Sequence, residues 1–234
     1  MKNESFKEFL KRKGINFTVQ TYFIDALGAM AFGLFASLLI GTIFATLGEK
    51  SGIEIFNTIA EYAKGATGAA LGVSIAYALK APQLVLFSAA TVGIAGNALG
   101  GPVGALIATI ISVVACEFFE WAYRKIMKKS CANKDLSAAV TGVLLAFVCA
   151  PTLPTPAVTI ISGVLAAQFV GPGVSAFMTA FGNLVKTATV MQPLFMGILV
   201  SALIGIALTL PISSAAICIM LSLDGIAGGA ATAG

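Results

Sequence analysis

Gly93-Ile94-Ala95-Gly96-Asn97-Ala98-Leu99-Gly100-Gly101-Pro102 closes an apolar run that begins at Pro82, and a second apolar run, Val103 to Tyr123, follows at once. Four glycines and a proline bracket one Asn among residues otherwise suited to hydrocarbon. Glycine loosens a helix, and proline removes a backbone donor from it. The stretch therefore predicts a broken helix at membrane depth. A bilayer tolerates that only where protein or a wet cavity covers the freed backbone. Two uses of the glycines stand side by side: exposing backbone N–H and C=O groups to a polar solute, or letting two helices cross closely.

The rest of the chain supplies the membrane. Of 234 residues, 58% are apolar and 10% charged, against about 25% charged in an ordinary soluble domain. The apolar residues fall in blocks, and the longer ones match a hydrocarbon core about 30 Å thick. From Leu136 to Gly234 the only charges are Lys186 and Asp224, too few for the polar faces of soluble helices. The fold class is thus all-α: a polytopic transmembrane helical protein with broken or re-entrant helices.

The net charge of +4 is carried at the edges of apolar blocks. Lys2, Lys7, Lys11, Arg12 and Lys13 precede the first block, and Arg124, Lys125, Lys128, Lys129 and Lys134 follow Tyr123. This placement argues against nucleic acid and for two cytoplasmic clusters under the positive-inside rule. The expectation is a multi-pass protein of a bacterial-type cytoplasmic membrane, N-terminus inside, with an even number of crossings between the clusters. Nothing at the N-terminus reads as a cleavable signal.

Residues 1–23 form a basic amphipathic segment. Ser5-x-x-Glu8 is a capping-box pattern, with Phe6, Phe9 and Leu10 opposite Lys7, Lys11 and Arg12. Residues 24–234 make up the transmembrane part. Ile24 to Leu47 spans roughly 36 Å as a helix, and Gly28, Gly33, Ser37 and Gly41 give it one small-residue face. Ser51 to Lys64 alternates an apolar stripe (Ile55, Phe56, Ile59, Ala63) with Glu54, Asn57, Glu61 and Lys64, which predicts a helix along the membrane surface or a subunit interface. Gly65 to Leu79 is apolar but short, and Lys80-Ala81-Pro82 ends it. Leu136 to Ala150 and Ala157 to Val170 are short apolar pieces around Pro151, Pro154 and Pro156; the second is expected to stop at Gly171-Pro172-Gly173, as in a discontinuous hairpin. Leu194 to Leu210 and Ile212 to Gly229 are further apolar runs.

An internal repeat is expected. Gly33 to Gly41 aligns with Gly197 to Gly205, and a Gly-Ile-Ala-Gly string follows each, at Gly93 to Gly96 and Gly225 to Gly228. The first copy covers about 24–130 and the second about 174–234. The second lacks a counterpart of Val103 to Tyr123, so the repeat predicts further chain beyond Gly234.

No catalytic motif survives inspection: there is no phosphate-binding loop, no metal-ligand spacing and no Ser-His-Asp set. Histidine is absent and the four cysteines make no CxxC pair. No cofactor and no metal are expected. The candidate solute-binding residues are Gly96, Asn97, Gln168, Asn183, Asp224 and Gly225. For Asp224 a helix cap is the competing role, and for Gln168 a lipid-interface position. Lys186, Glu117 and Glu120 are the candidate pathway charges. Glu120 can pair with Arg124, so a solvated face is the alternative for both glutamates, and a loop position is the alternative for Lys186.

Gly93 to Pro102, Leu153-Pro154-Thr155-Pro156 and Asp224 to Gly229 together resemble the membrane component (IIC) of bacterial phosphotransferase sugar systems, and within it the stand-alone branch of perfringolysin O regulator-like proteins. The resemblance covers most of the chain. It implies a sugar or polyol permease whose phosphorylation chemistry would need separate soluble phosphoryl-carrier proteins, with a homodimer as a further expectation. One departure touches coupling: sugar-phosphorylating relatives commonly carry a histidine in the membrane domain, and this chain has none. The rival functions are a membrane sensor that binds a solute without moving it, and a cation-coupled secondary transporter.

Overall fold

The structure, a computed structural model, describes residues 20–130 and 154–191, with residues 195, 197, 198, 201 and 202. Every element among them is a helix. Most of the basic N-terminal segment, the Leu136 to Ala150 piece, nearly all of the two last apolar runs, and Asp224 and Gly225 lie outside the described residues.

A π-helical turn, Gln20–Asp25, leads into α1 (Ala26–Leu34), a second π segment, Phe35–Leu39, and α2 (Ile40–Ser51). Right-handed helical angles persist through the junctions at Leu34, Phe35, Leu39 and Ile40, so these pieces form one rod. Ala26–Ser51 is long and apolar enough to cross a membrane. Gly52, at φ 70°, caps it and donates its N–H to the Gly48 carbonyl at 2.9 Å.

α3 (Glu54–Gly65) and α4 (Thr67–Ala78) run back along this rod. Gly33 faces Ala70 and Ser74, Gly41 faces Ala60 and Lys64, and Gly48 faces Asn57. A β-carbon on Gly33 would lie 2.7 Å from Ser74 Oγ and 2.9 Å from the Ala70 carbonyl oxygen. The small-residue face expected on the first span is therefore the contact face. The helix expected at 51–64 along the membrane surface or a subunit interface is present as α3, and it pairs antiparallel with α2. Gly41 and Gly48 let the two backbones approach closely. Only Ala60 of α3 is buried, and Ile55 and Tyr62 stay outward.

α4 ends where Lys80-Ala81-Pro82 predicts. Lys80 takes φ 56°, its N–H reaches the Tyr77 carbonyl at 3.0 Å, and the Ala81 N–H reaches that of Ala76 at 3.0 Å. This is a Schellman cap built on a lysine instead of a glycine.

α5 (Gln83–Ser130) is not one rod. Gly101 stands at φ 63°, ψ −163°, a region essentially reserved for glycine. Pro102 follows, and proline suits the first position of a new helix. The chain folds on itself there, giving antiparallel arms 83–100 and 102–130, the first about 27 Å long. A β-carbon on Gly96 would lie 2.7 Å from Ala105 Cα, and one on Gly104 would lie 2.6 Å from the Gly96 carbonyl oxygen.

α6 (Pro154–Met191) lies in the groove between the arms. Gly163 meets Val92 of the first arm and Ser112 of the second, and Val92, Ala108 and Ala167 form a buried cluster. The α5–α6 contact is the most extensive in the fold. The expected stop at Gly171–Gly173 is overturned: α6 continues through Pro172. Proline costs this helix a hydrogen bond, and packing along the whole of α5 offsets it.

The main core joins Met30 and Leu34 of α1, Leu71 and Ile75 of α4, and Val85 and Val113 of α5. Tyr22 packs on this core and feels the charge of Glu117. The start of the first rod, the Lys80 turn and the end of the second α5 arm therefore share one end of the bundle, and Gly52 is at the other.

Candidate functional site

The glycines of the opening stretch are divided among three neighbours. Gly93 abuts Gly68 and Gly72 of α4, Gly96 abuts Gly104 and Ala105 of the second arm, and Gly100 abuts Gly171 of α6. The chain stays helical through Gly96 and Asn97, and the break falls at Gly101. Sequence reading missed two of these contacts. Gly68-Ala69-Ala70-Leu71-Gly72 is a small-x-x-x-small motif that signals a close crossing; nothing in the sequence signals that Gly100 would find Gly171.

The Gly100–Gly171 contact brings the end of the first α5 arm beside the proline-bearing turn of α6. A β-carbon on Gly100 would lie 3.0 Å from Gly171 Cα, and one on Gly171 would lie 2.9 Å from Leu99 Cβ. Pro172 deprives the Gln168 carbonyl of its helical donor, and Gln168 is exposed. The first arm ends at the Gly101 turn, so its last carbonyls, 97–100, are helix-end carbonyls. No charged residue occurs between Gln83 and Cys116 or between Pro154 and Val185, so these two segments bring no charge to the contact.

The other candidates are distributed unevenly. Gln168 is one turn before Gly171. Asn97 is half-buried and one turn after Gly93, on the face turned to α4. Asn183 is exposed and about 18 Å along α6 from Gly171. Lys186 lies on α6, and Asp224 and Gly225 lie outside the described residues.

Glu117 is 2% exposed, so the solvated-face reading is corrected for it; Glu120 is half-buried. Both lie near the far end of the second arm, away from Gly101. Burial raises the Tyr22 hydroxyl above its usual pKa of 10.0, and the Glu117 charge adds to the rise. Beside them stand Phe118, Trp121 and Tyr123, with Lys125 Nζ 4.9 Å from the Trp121 ring. Such an aromatic girdle beside lysines marks a membrane–water boundary.

Buried hydroxyls mostly bond back to their own helices: Ser37 to the Gly33 carbonyl at 2.7 Å, Ser112 to Thr109 at 2.9 Å, Thr159 to Thr155 at 2.8 Å. This is how membrane helices hide such groups. A groove of about 520 Å³ between the second arm and α6 is lined by apolar residues, among them Val103, Ile107, Phe169 and Phe177. It offers little to a polar solute. Among the described residues no cluster of His, Cys, Asp or Glu could hold a metal.

Among the described residues three helices are long and apolar enough to cross a membrane: Ala26–Ser51, Gln83–Tyr123 (folded at Gly101) and Thr155–Ala180. Helices of this length and apolarity define a helical membrane protein. The chain matches the family model described as Phosphotransferase system, EIIC, over residues 24–154 and 148–234, and it belongs to that family. Its members work with other proteins of the phosphotransferase system at a membrane. Comparison with curated proteins and with solved structures gave no match.

Proposed function

We propose that this protein is a permease for a neutral, hydroxyl-rich solute, a sugar or polyol, and that the solute binds where the end of the first α5 arm meets α6 at Gly100 and Gly171. The observation that supports this is the Gly100–Gly171 contact, where the end of the first α5 arm lies beside the Gln168 carbonyl that Pro172 frees. Hydroxyl donors suit such acceptors, and neither 83–116 nor 154–185 holds a charge to pair with an ionic solute. Soluble phosphoryl-carrier proteins of the same system are the proposed partners. The proposed setting is a bacterial cytoplasmic membrane, crossed several times with the N-terminus inside, and the proposed assembly is a homodimer. We further propose that the second repeat copy brings Asp224 and Gly225 to the same polar region.

The test is uptake of labelled sugars and polyols into vesicles holding the protein, with and without phosphoenolpyruvate and the soluble carriers. Accumulation only with the carriers supports the proposal. Binding without flux under every condition replaces it with the sensor reading, which the absence of histidine favours. Accumulation driven by a sodium or proton gradient alone replaces it with a cation-coupled transporter.

A further inference from the structure

We infer that α2 and α3, residues 40–65, form a rigid hairpin that swings on the rest of the protein about a two-point hinge, made of the π segment Phe35–Leu39 in the first rod and the break at Ala66 in the returning helix. Its use in solute transfer rests on the permease reading; the swing itself does not.

The hairpin holds together as one unit. Gly41 brings α2 against Ala60 and Lys64, Gly48 faces Asn57, and the Phe44 and Phe56 rings stand 6.0 Å apart between centroids. Gly52 caps the turn that joins the two helices. Among the described residues α2 and α3 pack chiefly on each other, and their other extended contacts are with the π segment and α4. The main core reaches Phe35 and Leu38 of the π segment and takes in no residue of 40–65.

The two irregularities stand at one level. Gly33 faces Ala70 and Ser74, and Gly41 faces Ala60 and Lys64. Ser37, midway between the two glycines, is therefore level with Ala66 and Thr67. The π segment touches both α3 and α4, as that level requires. Each helix has its hydrogen-bond ladder disturbed there. In a π segment the backbone bonds close over five residues instead of four. In the returning helix, the Ala66 N–H reaches the Tyr62 carbonyl at 3.0 Å, and the Ala70 N–H starts the α4 ladder on the Ala66 carbonyl at 2.9 Å. Helices bend where the ladder is already disturbed. A single disturbed helix would be splinted by a regular neighbour, and two disturbed at one level leave no splint.

Side chains at that level do not clamp it. Ser37 Oγ donates to the Gly33 carbonyl of its own helix at 2.7 Å, and Thr67 Oγ1 is buried without a hydrogen-bond partner. Neither hydroxyl ties the first rod to α4. Gly65 has nothing within 4 Å of its β position, which leaves room for a bend. Hinges are built in this way, from a few residues at element ends that absorb the change in backbone angle while the packed units stay intact.

The test measures distances between nitroxide labels by pulsed electron paramagnetic resonance, on the full chain in nanodiscs with its native cysteines replaced. Labels go on Ile53→Cys at the hairpin tip, Tyr77→Cys on α4 and Phe169→Cys on α6, all exposed positions. The Ile53–Phe169 distribution should be broader than the Tyr77–Phe169 distribution. Gly65→Ala, which favours helix through the break, should narrow the first and leave the second unchanged. Equal widths in the wild type overturn the inference. A broad first distribution that Gly65→Ala leaves unchanged overturns the assignment of the hinge to Ala66. In the vesicle assay, Gly65→Ala should slow uptake of the transported sugar without weakening its binding. Unchanged uptake by a narrowed hairpin overturns the use of the swing in transport and leaves the permease reading intact. A wild type that moves no labelled sugar under any condition removes that reading and leaves the hinge to be judged by the distances.

Discussion

Gly100 of α5 and Gly171 of α6 touch backbone to backbone, so that a β-carbon on Gly100 would sit 3.0 Å from Gly171 Cα. The contact lies next to Gly101, whose φ of 63° and ψ of −163° turn α5 back on itself. Close approach and sharp turn are separate demands. They predict different costs.

Gly101→Ala should cost about 1–3 kcal/mol through backbone strain alone, since nothing lies within 4 Å of its β position. Gly100→Leu should be worse, because its side chain must push α6 away. Thermal melting of the detergent-solubilised variants measures both. Equal melting of wild type and Gly100→Leu would show that the helices are not in contact.

At the α4–α5 crossing, a β-carbon on Gly72 would collide with the Ala89 carbonyl, whereas Gly65 and Gly173 face open space. Gly72→Ala should therefore lower the melting temperature strongly. Gly65→Ala and Gly173→Ala should leave it unchanged or slightly raised, because alanine is the better helix former by about 1 kcal/mol. The ranking of the three variants is the readout.

Gly52 and Lys80 are at opposite ends of the bundle, and Lys80 shares its end with Lys125. With the basic clusters inside, a cysteine replacing Gly52 should be labelled from outside intact cells. Cysteines replacing Lys80 or Lys125 should be labelled only after the membrane is opened. Outside labelling at Lys80 would reverse the orientation, and labelling of both Gly52 and Lys80 from one side would break the antiparallel pairing.

Tyr22 carries a raised pKa from burial and from Glu117. The folded state then keeps the phenolic proton above the usual pKa of 10.0, where the unfolded chain releases it. Its contribution is complete below about pH 10 and is lost as pH rises through the folded-state value. Tyr22→Phe should match wild type near pH 8 and lose less stability than wild type between about pH 10 and 11. Identical alkaline profiles would show that Tyr22 is not buried beside Glu117.

The membrane class was legible without coordinates, because a chain 58% apolar with two charges after Leu136 has no soluble solution. Composition also located the interruption near Gly101 and the cap at Lys80-Ala81-Pro82, since glycine and proline act on their own backbone wherever they stand. The sequence could not say which helix each glycine would meet. A glycine only permits close approach, and the same permission at Gly93, Gly96 and Gly100 was taken up by α4, by the second α5 arm and by α6. Nor could it foresee that α6 would run through Pro172 or that α3 would lie along α2. Both outcomes depend on contacts far away in sequence, where a whole helix face outweighs one lost hydrogen bond. Local chemistry determined where this chain can break. Only the packing of helices against one another decided which of those places break and which neighbour each glycine meets.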